Sequence, residues 1–127
     1  MIAIIDYDAG NVKSVQNALK KLGFEAEITS DIETIKKAEK VIFPGVGEAS
    51  SAMKKLQERG LDIVIPKLKQ PVLGICLGMQ LMCNSSEEGN TKALGIFDCE
   101  VKLFPNSDIV PHIGWNNLSK INGNLLK

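Results

Sequence analysis

Apolar runs and helically spaced apolar positions alternate along the chain as far as about residue 84. Met1 to Tyr7 reads M-I-A-I-I-D-Y, a near-continuous apolar run suited to a strand buried on both faces of a parallel sheet. Asp8-Ala9-Gly10-Asn11 is small and polar and predicts a loop. Val12, Val15, Leu19 and Leu22 then recur at helical spacing, and Gly23 marks the stop. Phe24 to Thr29 predicts a second strand, and Ser30-Asp31 caps a short helix carrying Ile32 and Ile35. Val41-Ile42-Phe43 predicts a third strand, cut by Pro44. A helix over about 48–58 follows, ended by Gly60, and Leu61 to Lys69 is helical again although Pro66 disturbs it. Val72 to Ile75 predicts the fourth strand, which runs directly into Cys76 and the helically spaced Met79-Gln80-Leu81-Met82.

Alternating strands and helices predict a three-layer α/β domain with a mostly parallel sheet. After residue 84 the pattern changes. Ser85 to Asn90 is a polar loop, Phe97 to Phe104 alternates as a β-strand does, and Pro105-Asn106-Ser107-Asp108 is a turn signal. The tail from Asn116 to Lys127 is polar and holds no further α/β unit. A length of 127 residues suits one domain, with core α/β units over 1–84 and a β-rich or loop segment over 85–127.

Charge and composition narrow the function classes. Fifteen basic and fifteen acidic side chains cancel, which leaves no electrostatic footprint for nucleic acid or anionic lipid. No apolar run reaches membrane-spanning length, and the first residues lack the charged start of a secretion signal. Cys76, Cys83 and Cys99 have no metal-binding spacing, and no metal or cofactor is expected. An odd thiol count without a signal segment fits a reducing cytoplasm. Cys76 and Cys83 lie two helical turns apart, too far for a disulfide.

The chemistry concentrates in Gly74-Ile75-Cys76-Leu77-Gly78. A cysteine between two glycines at a strand-to-helix junction has the layout of a nucleophile elbow. The glycines allow a tight turn where a neighbouring β-carbon would clash. The helix that begins there aims free N–H groups and its positive end at the sulfur, which favours the attacking thiolate. The alternative is a buried structural cysteine. In open α/β sheets, ligands sit beyond the carboxyl ends of the strands, so the loops Asp8–Asn11, Pro44–Gly47 and Cys76–Gly78 are expected to share one crevice. Val46 and Gly47 in the P-G-V-G turn, with Leu77 beside the cysteine, can present N–H donors to an oxyanion. Gln80 follows Cys76 by one helical turn, and Glu87 and Glu88 lie just past that helix, where a carboxylate can hold a substrate ammonium group. The single histidine, His112, has no acid beside it in sequence to orient the ring as a general base.

These residues resemble a known family. Phe43-Pro44-Gly45-Val46-Gly47 and Gly74-Ile75-Cys76-Leu77-Gly78-Met79-Gln80 are similar to the motifs of class I (triad) glutamine amidotransferases, a flavodoxin-like family. Asp6-Tyr7-Asp8-Ala9-Gly10-Asn11 and Pro111-His112-Ile113-Gly114-Trp115-Asn116 narrow the resemblance to the glutaminase subunits of imidazole glycerol phosphate synthases. The resemblance implies that Cys76 attacks the carboxamide of glutamine, with Leu77 and the Val46–Gly47 turn as oxyanion donors and Gln80 and Glu88 as substrate contacts. It also implies a hetero-partner, a (β/α)8-barrel cyclase subunit that uses the ammonia in histidine biosynthesis. Asn11, His112 and Trp115 match partner-facing positions.

One departure is expected to matter. The family's histidine and acidic orienter lie in an H-P-E segment that this sequence lacks, and His112 does not match it. The chain is therefore expected to be the N-terminal part of such a domain, incomplete at the C-terminus, with an exposed sheet edge, exposed apolar faces and little turnover of its own. A flavodoxin-like cysteine hydrolase using His112 and an inactive interaction module are the alternatives.

Overall fold

The computed structural model describes residues 1–123 and 125. Four strands, β1 (Ile2–Ile5), β2 (Ala26–Thr29), β3 (Lys40–Phe43) and β4 (Val72–Gly74), form a parallel sheet in the order β2-β1-β3-β4. Helices α1 (Val12–Lys21), α2 (Ile32–Lys37), α3 (Ala49–Glu58), α4 (Leu61–Val64) and α5 (Leu77–Leu81) connect and follow them. The expected α/β architecture is present. The strands are shorter than their apolar runs. β1 ends at Ile5, with Asp6 N–H still donating to the Thr29 carbonyl at 2.9 Å, and β2 begins only at Ala26, with Phe24 more than half exposed.

The side-chain alternation of β1 and β3 divides the core. Ala3, Ile5, Tyr7, Val41 and Phe43 face a single cluster with Ile35 of α2, Ala52 and Leu56 of α3, Leu61 of α4, Ile65, and Leu77 and Leu81 of α5. Tyr7 and Phe43 pack with ring centroids 5.5 Å apart. No residue of α1 enters this cluster; α1 lies against β1 and β2, and none of its residues is fully buried. The sheet edges are β2 and β4, and Leu73 of β4 is partly open to water.

Two stretches differ from their patterns, one before residue 84 and one after it. The helical stretch from Leu61 breaks after α4 into a 3-10 turn over Ile65–Lys67, where Pro66 supplies no N–H to continue an α-helix. The loop Ser85–Asn90 contains β5 (Ser85–Ser86), followed by β6 (Thr91–Lys92). The expected strand Phe97–Phe104 reduces to β7 (Glu100–Val101). These three form a small sheet in the order β6-β5-β7, with β5 and β7 parallel. Phe97, Leu103 and Phe104 are about half or more exposed, so nothing buries one face of the alternating run and the ladder stops. From Leu103 to Gly123 the described chain has no regular element.

Carboxylates hold the helix starts. Asp31 accepts from Thr34 N at 2.8 Å and from its hydroxyl at 2.7 Å. Glu48 accepts from Ser50 N at 2.9 Å, Ser50 Oγ at 2.6 Å and Ser51 N at 3.0 Å. These bonds, led by those from the Thr34 and Ser50 side chains, hold both carboxyls below their ordinary values of 3.8 and 4.5. A carboxyl depressed in the folded state contributes stability above its unfolded value and loses it as pH falls through the folded value. Thermal midpoints measured across pH should therefore drop below about pH 4.5. Glu48→Gln keeps an acceptor but cannot titrate, so it should flatten part of that decline.

Candidate active site

The three loops beyond the strand ends converge. Tyr7 Oη donates to the Pro44 carbonyl at 2.9 Å. Val46 N–H donates to the Ala9 carbonyl at 2.6 Å across the gap between the β1 and β3 ends. Helix α3 ties down the first loop: Lys55 Nζ donates to the Asp8 carbonyl at 2.6 Å, and Arg59 pairs with the Asp8 carboxylate. Burial and the neighbouring Cys76 raise the Tyr7 phenol above its ordinary range, so it remains a neutral donor.

The elbow itself depends on missing side chains. Cys76 sits between β4 and α5 with φ 55° and ψ −120°, a backbone state unusual for a non-glycine residue. Its side chain is exposed, which excludes the buried structural reading. A β-carbon on Gly78 would lie 1.9 Å from the Phe43 carbonyl oxygen. One on Gly45 would lie 2.6 Å from both Gly78 N and Tyr7 Oη. The backbones of β3, its turn and α5 therefore touch directly. Ile75 N–H also donates to the Phe43 carbonyl, at 3.0 Å.

The donors are unequal. Gly78 N–H is taken by the Ile75 carbonyl at 3.0 Å. Leu77 N–H, the first of α5, has no intrahelical acceptor. In the Pro44–Gly47 turn the expectation of two bare N–H groups is corrected at Val46, whose N–H is bonded to Ala9 because the turn packs on the first loop. Gly47 is exposed, with φ 99°.

Gln80 and Glu88 line one cleft of about 320 Å³ with Ser86, Val101 and Leu103. A larger cavity of about 790 Å³ lies elsewhere, between α1 and β2. Glu88 has a structural duty as well: its Oε1 accepts from Ala49 N at 2.7 Å, capping α3 from 39 residues away. Sequence reasoning had no local signal for that bond. Asn11 caps α1, accepting from Ser14 N at 3.3 Å. His112 Nε2 stands 2.9 Å from Asn116 Nδ2 and lines a cavity with Phe104, Asp108 and Ile109, away from the elbow. Trp115 is fully exposed. Among the described residues, no group of three His, Cys, Asp or Glu side chains could hold a metal ion.

Comparison with known proteins fits this geometry. The model of the family described as glutamine amidotransferase class-I matches residues 3–123. The chain belongs to that family. It is 58% identical over 129 residues to imidazole glycerol phosphate synthase subunit HisH of Bacteroides fragilis (strain YCH46), covering 99% of this chain and 66% of the relative. It is 49% identical over 138 residues to subunit HisH 2 of Methanococcus maripaludis, covering all of this chain and 68% of that one. The chain thus spans about two thirds of the length of these amidotransferase relatives. A solved structure titled "Crystal structure of glutamine amidotransferase" matches with a TM-score of 0.68 at 22% identity, covering 80% of this chain and 56% of that one. That likeness establishes the shared fold. No helix among the described residues is long and apolar enough to cross a membrane.

Gly78→Ala separates helix propensity from packing. Alanine should gain about 1 kcal/mol of helix propensity. The contact with the Phe43 carbonyl should outweigh it and leave a net loss of about 2 kcal/mol or more. The urea midpoint measures the sign.

Proposed function

We propose that this chain carries the nucleophile half of a glutaminase. The exposed Cys76 at a strained strand-to-helix elbow is the observation that carries the reading. Its thiolate attacks the side-chain carboxamide carbon of glutamine, and the carbonyl oxygen becomes an oxyanion. Leu77 N–H is one donor to that oxygen, and the Val46–Gly47 turn is the other side of the hole. Collapse of the oxyanion expels ammonia and leaves a thioester on Cys76; water then releases glutamate. Gln80 and Glu88 hold the amino-acid end of the substrate from their shared cleft.

The relatives' names support the wider reading. Their synthase is a multi-subunit enzyme by name, and the ammonia goes to its partner, a (β/α)8-barrel cyclase subunit. The products are imidazole glycerol phosphate and an aminoimidazole carboxamide ribotide, in cytoplasmic histidine biosynthesis. Asn11, His112 and Trp115 form the partner-facing side. His112 is engaged with Asn116 in a cavity away from the elbow, so it does not take the thiol proton. The chain by itself should therefore bind and alkylate rather than turn over.

A glutamine-mimicking chloroketone tests this directly. It should label Cys76 at least tenfold faster than a plain haloacetamide, and free glutamine should slow it; equal rates would remove the substrate site. Cys76→Ser should abolish labelling. Rapid glutaminase turnover by the chain, lost in Cys76→Ser, would show that another base operates.

Glu88→Gln refines the test. The amide oxygen still accepts from Ala49 N, so the thermal midpoint should stay within a degree or two. Loss of the carboxylate should slow chloroketone labelling about tenfold, since an ammonium–carboxylate contact contributes about 1.5 kcal/mol. Unchanged labelling would confine Glu88 to its capping duty.

A further inference from the structure

The proposed chemistry uses one of the three cysteines. The other two, Cys83 and Cys99, are free thiols with their sulfurs 3.3 Å apart. Cys83 follows the last turn of α5, and Cys99 immediately precedes β7. The parallel register pairs Ser85 with Glu100, so Cys99 lies one residue and Cys83 two residues before the paired strand starts. Their backbones are fixed there. Asn84 N–H donates to the Cys99 carbonyl at 2.8 Å, Asn84 Nδ2 donates to Asp98 at 2.8 Å, and Gly95 N–H donates to the Cys83 carbonyl at 2.9 Å. Asn84, the neighbour of Cys83, is the residue that faces Cys99 across the two segments, which leaves the two thiols side by side. The gap left between the sulfurs is little more than 1 Å beyond a disulfide bond length of about 2.05 Å.

We propose that Cys83 and Cys99 form a reversible disulfide clasp, oxidised by a small-molecule disulfide such as oxidised glutathione. Cys99 is the exposed member and meets the oxidant first. Its thiolate attacks one glutathione sulfur, the glutathione disulfide breaks, and one glutathione thiolate leaves. Cys83, once deprotonated, attacks the Cys99 sulfur of the mixed disulfide and expels the second glutathione thiolate. The two leaving thiolates take up the two protons that the cysteines lost. Two protein thiols are oxidised to one disulfide, and one glutathione disulfide is reduced to two thiols. Burial, with the Cys99 thiol beside it, pushes Cys83 up to about 11, which agrees with its acting second.

The clasp closes the loop between residues 16 apart in sequence and ties the end of α5 to β7. The helix whose first residue follows Cys76 would then be anchored at its far end. This inference is independent of the glutaminase reading, because neither thiol belongs to the proposed site.

The test equilibrates the chain with glutathione buffers of rising oxidised fraction, quenches with acid and an alkylating agent, and maps the peptides. The expected result is a cross-linked peptide joining Cys83 to Cys99 that dithiothreitol releases, with a higher thermal midpoint in the oxidised form. Cys99→Ser should remove the cross-link, and Cys83→Ser should leave glutathione trapped on Cys99. Glutathione trapped on Cys99 of the unsubstituted chain with no Cys83–Cys99 cross-link would overturn the proposal. So would a cross-link from either cysteine to Cys76 in place of that pair.

Discussion

The site depends on one close approach, the α5 backbone at Gly78 lying directly on the Phe43 carbonyl at the end of β3. Only a hydrogen fits there. The approach lets α5 start only two residues after β4, and the second of them takes a positive-φ state. Cys76 occupies that residue and is pushed out toward water. A reactive side chain on a rigid strand-to-helix corner is held by packing elsewhere, and here that packing is backbone on backbone. Gly45 repeats the logic one layer out, against Gly78 N and the Tyr7 hydroxyl.

The same closeness settles where polar groups go. Tyr7 is almost wholly buried, and its hydroxyl finds the Pro44 carbonyl, which fixes the base of the turn. One residue on from Gly45, Val46 N–H finds the Ala9 carbonyl. In the resting turn this donor is therefore given to the protein itself. An oxyanion is a stronger acceptor than a peptide carbonyl. On the proposed reading, therefore, substrate chemistry competes with the Ala9 contact for this turn, whereas Leu77 N–H is available from the start. Gly47 next to Val46 is exposed, and no atom beyond its own chain neighbours lies within 4 Å of where its β-carbon would be.

Much of this was legible in the sequence. The four parallel strands and the convergence of their loops followed from alternating apolar patterns and from the rule that ligands gather at strand C-termini. The elbow was legible because glycines flank a cysteine where the apolar period changes. The unread part is tertiary. Ser85-Ser86 and Thr91-Lys92 carry no β pattern, yet they pair because Ser86 and Thr91 are buried under α3 and its neighbours. The Phe97–Phe104 alternation had a pattern but nothing to pack against. Glu88 capping α3 and Cys83 meeting Cys99 join residues 39 and 16 apart, and no local spacing encodes either contact.

The apolar side chains left in water weigh on what the chain binds. Ile109 is 88% exposed, Ile113 85% and Trp115 fully so, in a stretch without regular structure. Fully burying three such side chains would supply roughly 5–9 kcal/mol. Association costs about 4–15 kcal/mol before any affinity appears, and ordering an irregular segment adds to it. On those figures the three side chains alone leave little surplus for affinity. The loop that ends at Asn11, the cap of α1, is tied to α3 through Asp8 and offers exposed surface at little ordering cost. The Ala9 carbonyl of that loop holds Val46, so on the proposed reading a partner seated there would lie one hydrogen bond away from the turn beside Cys76.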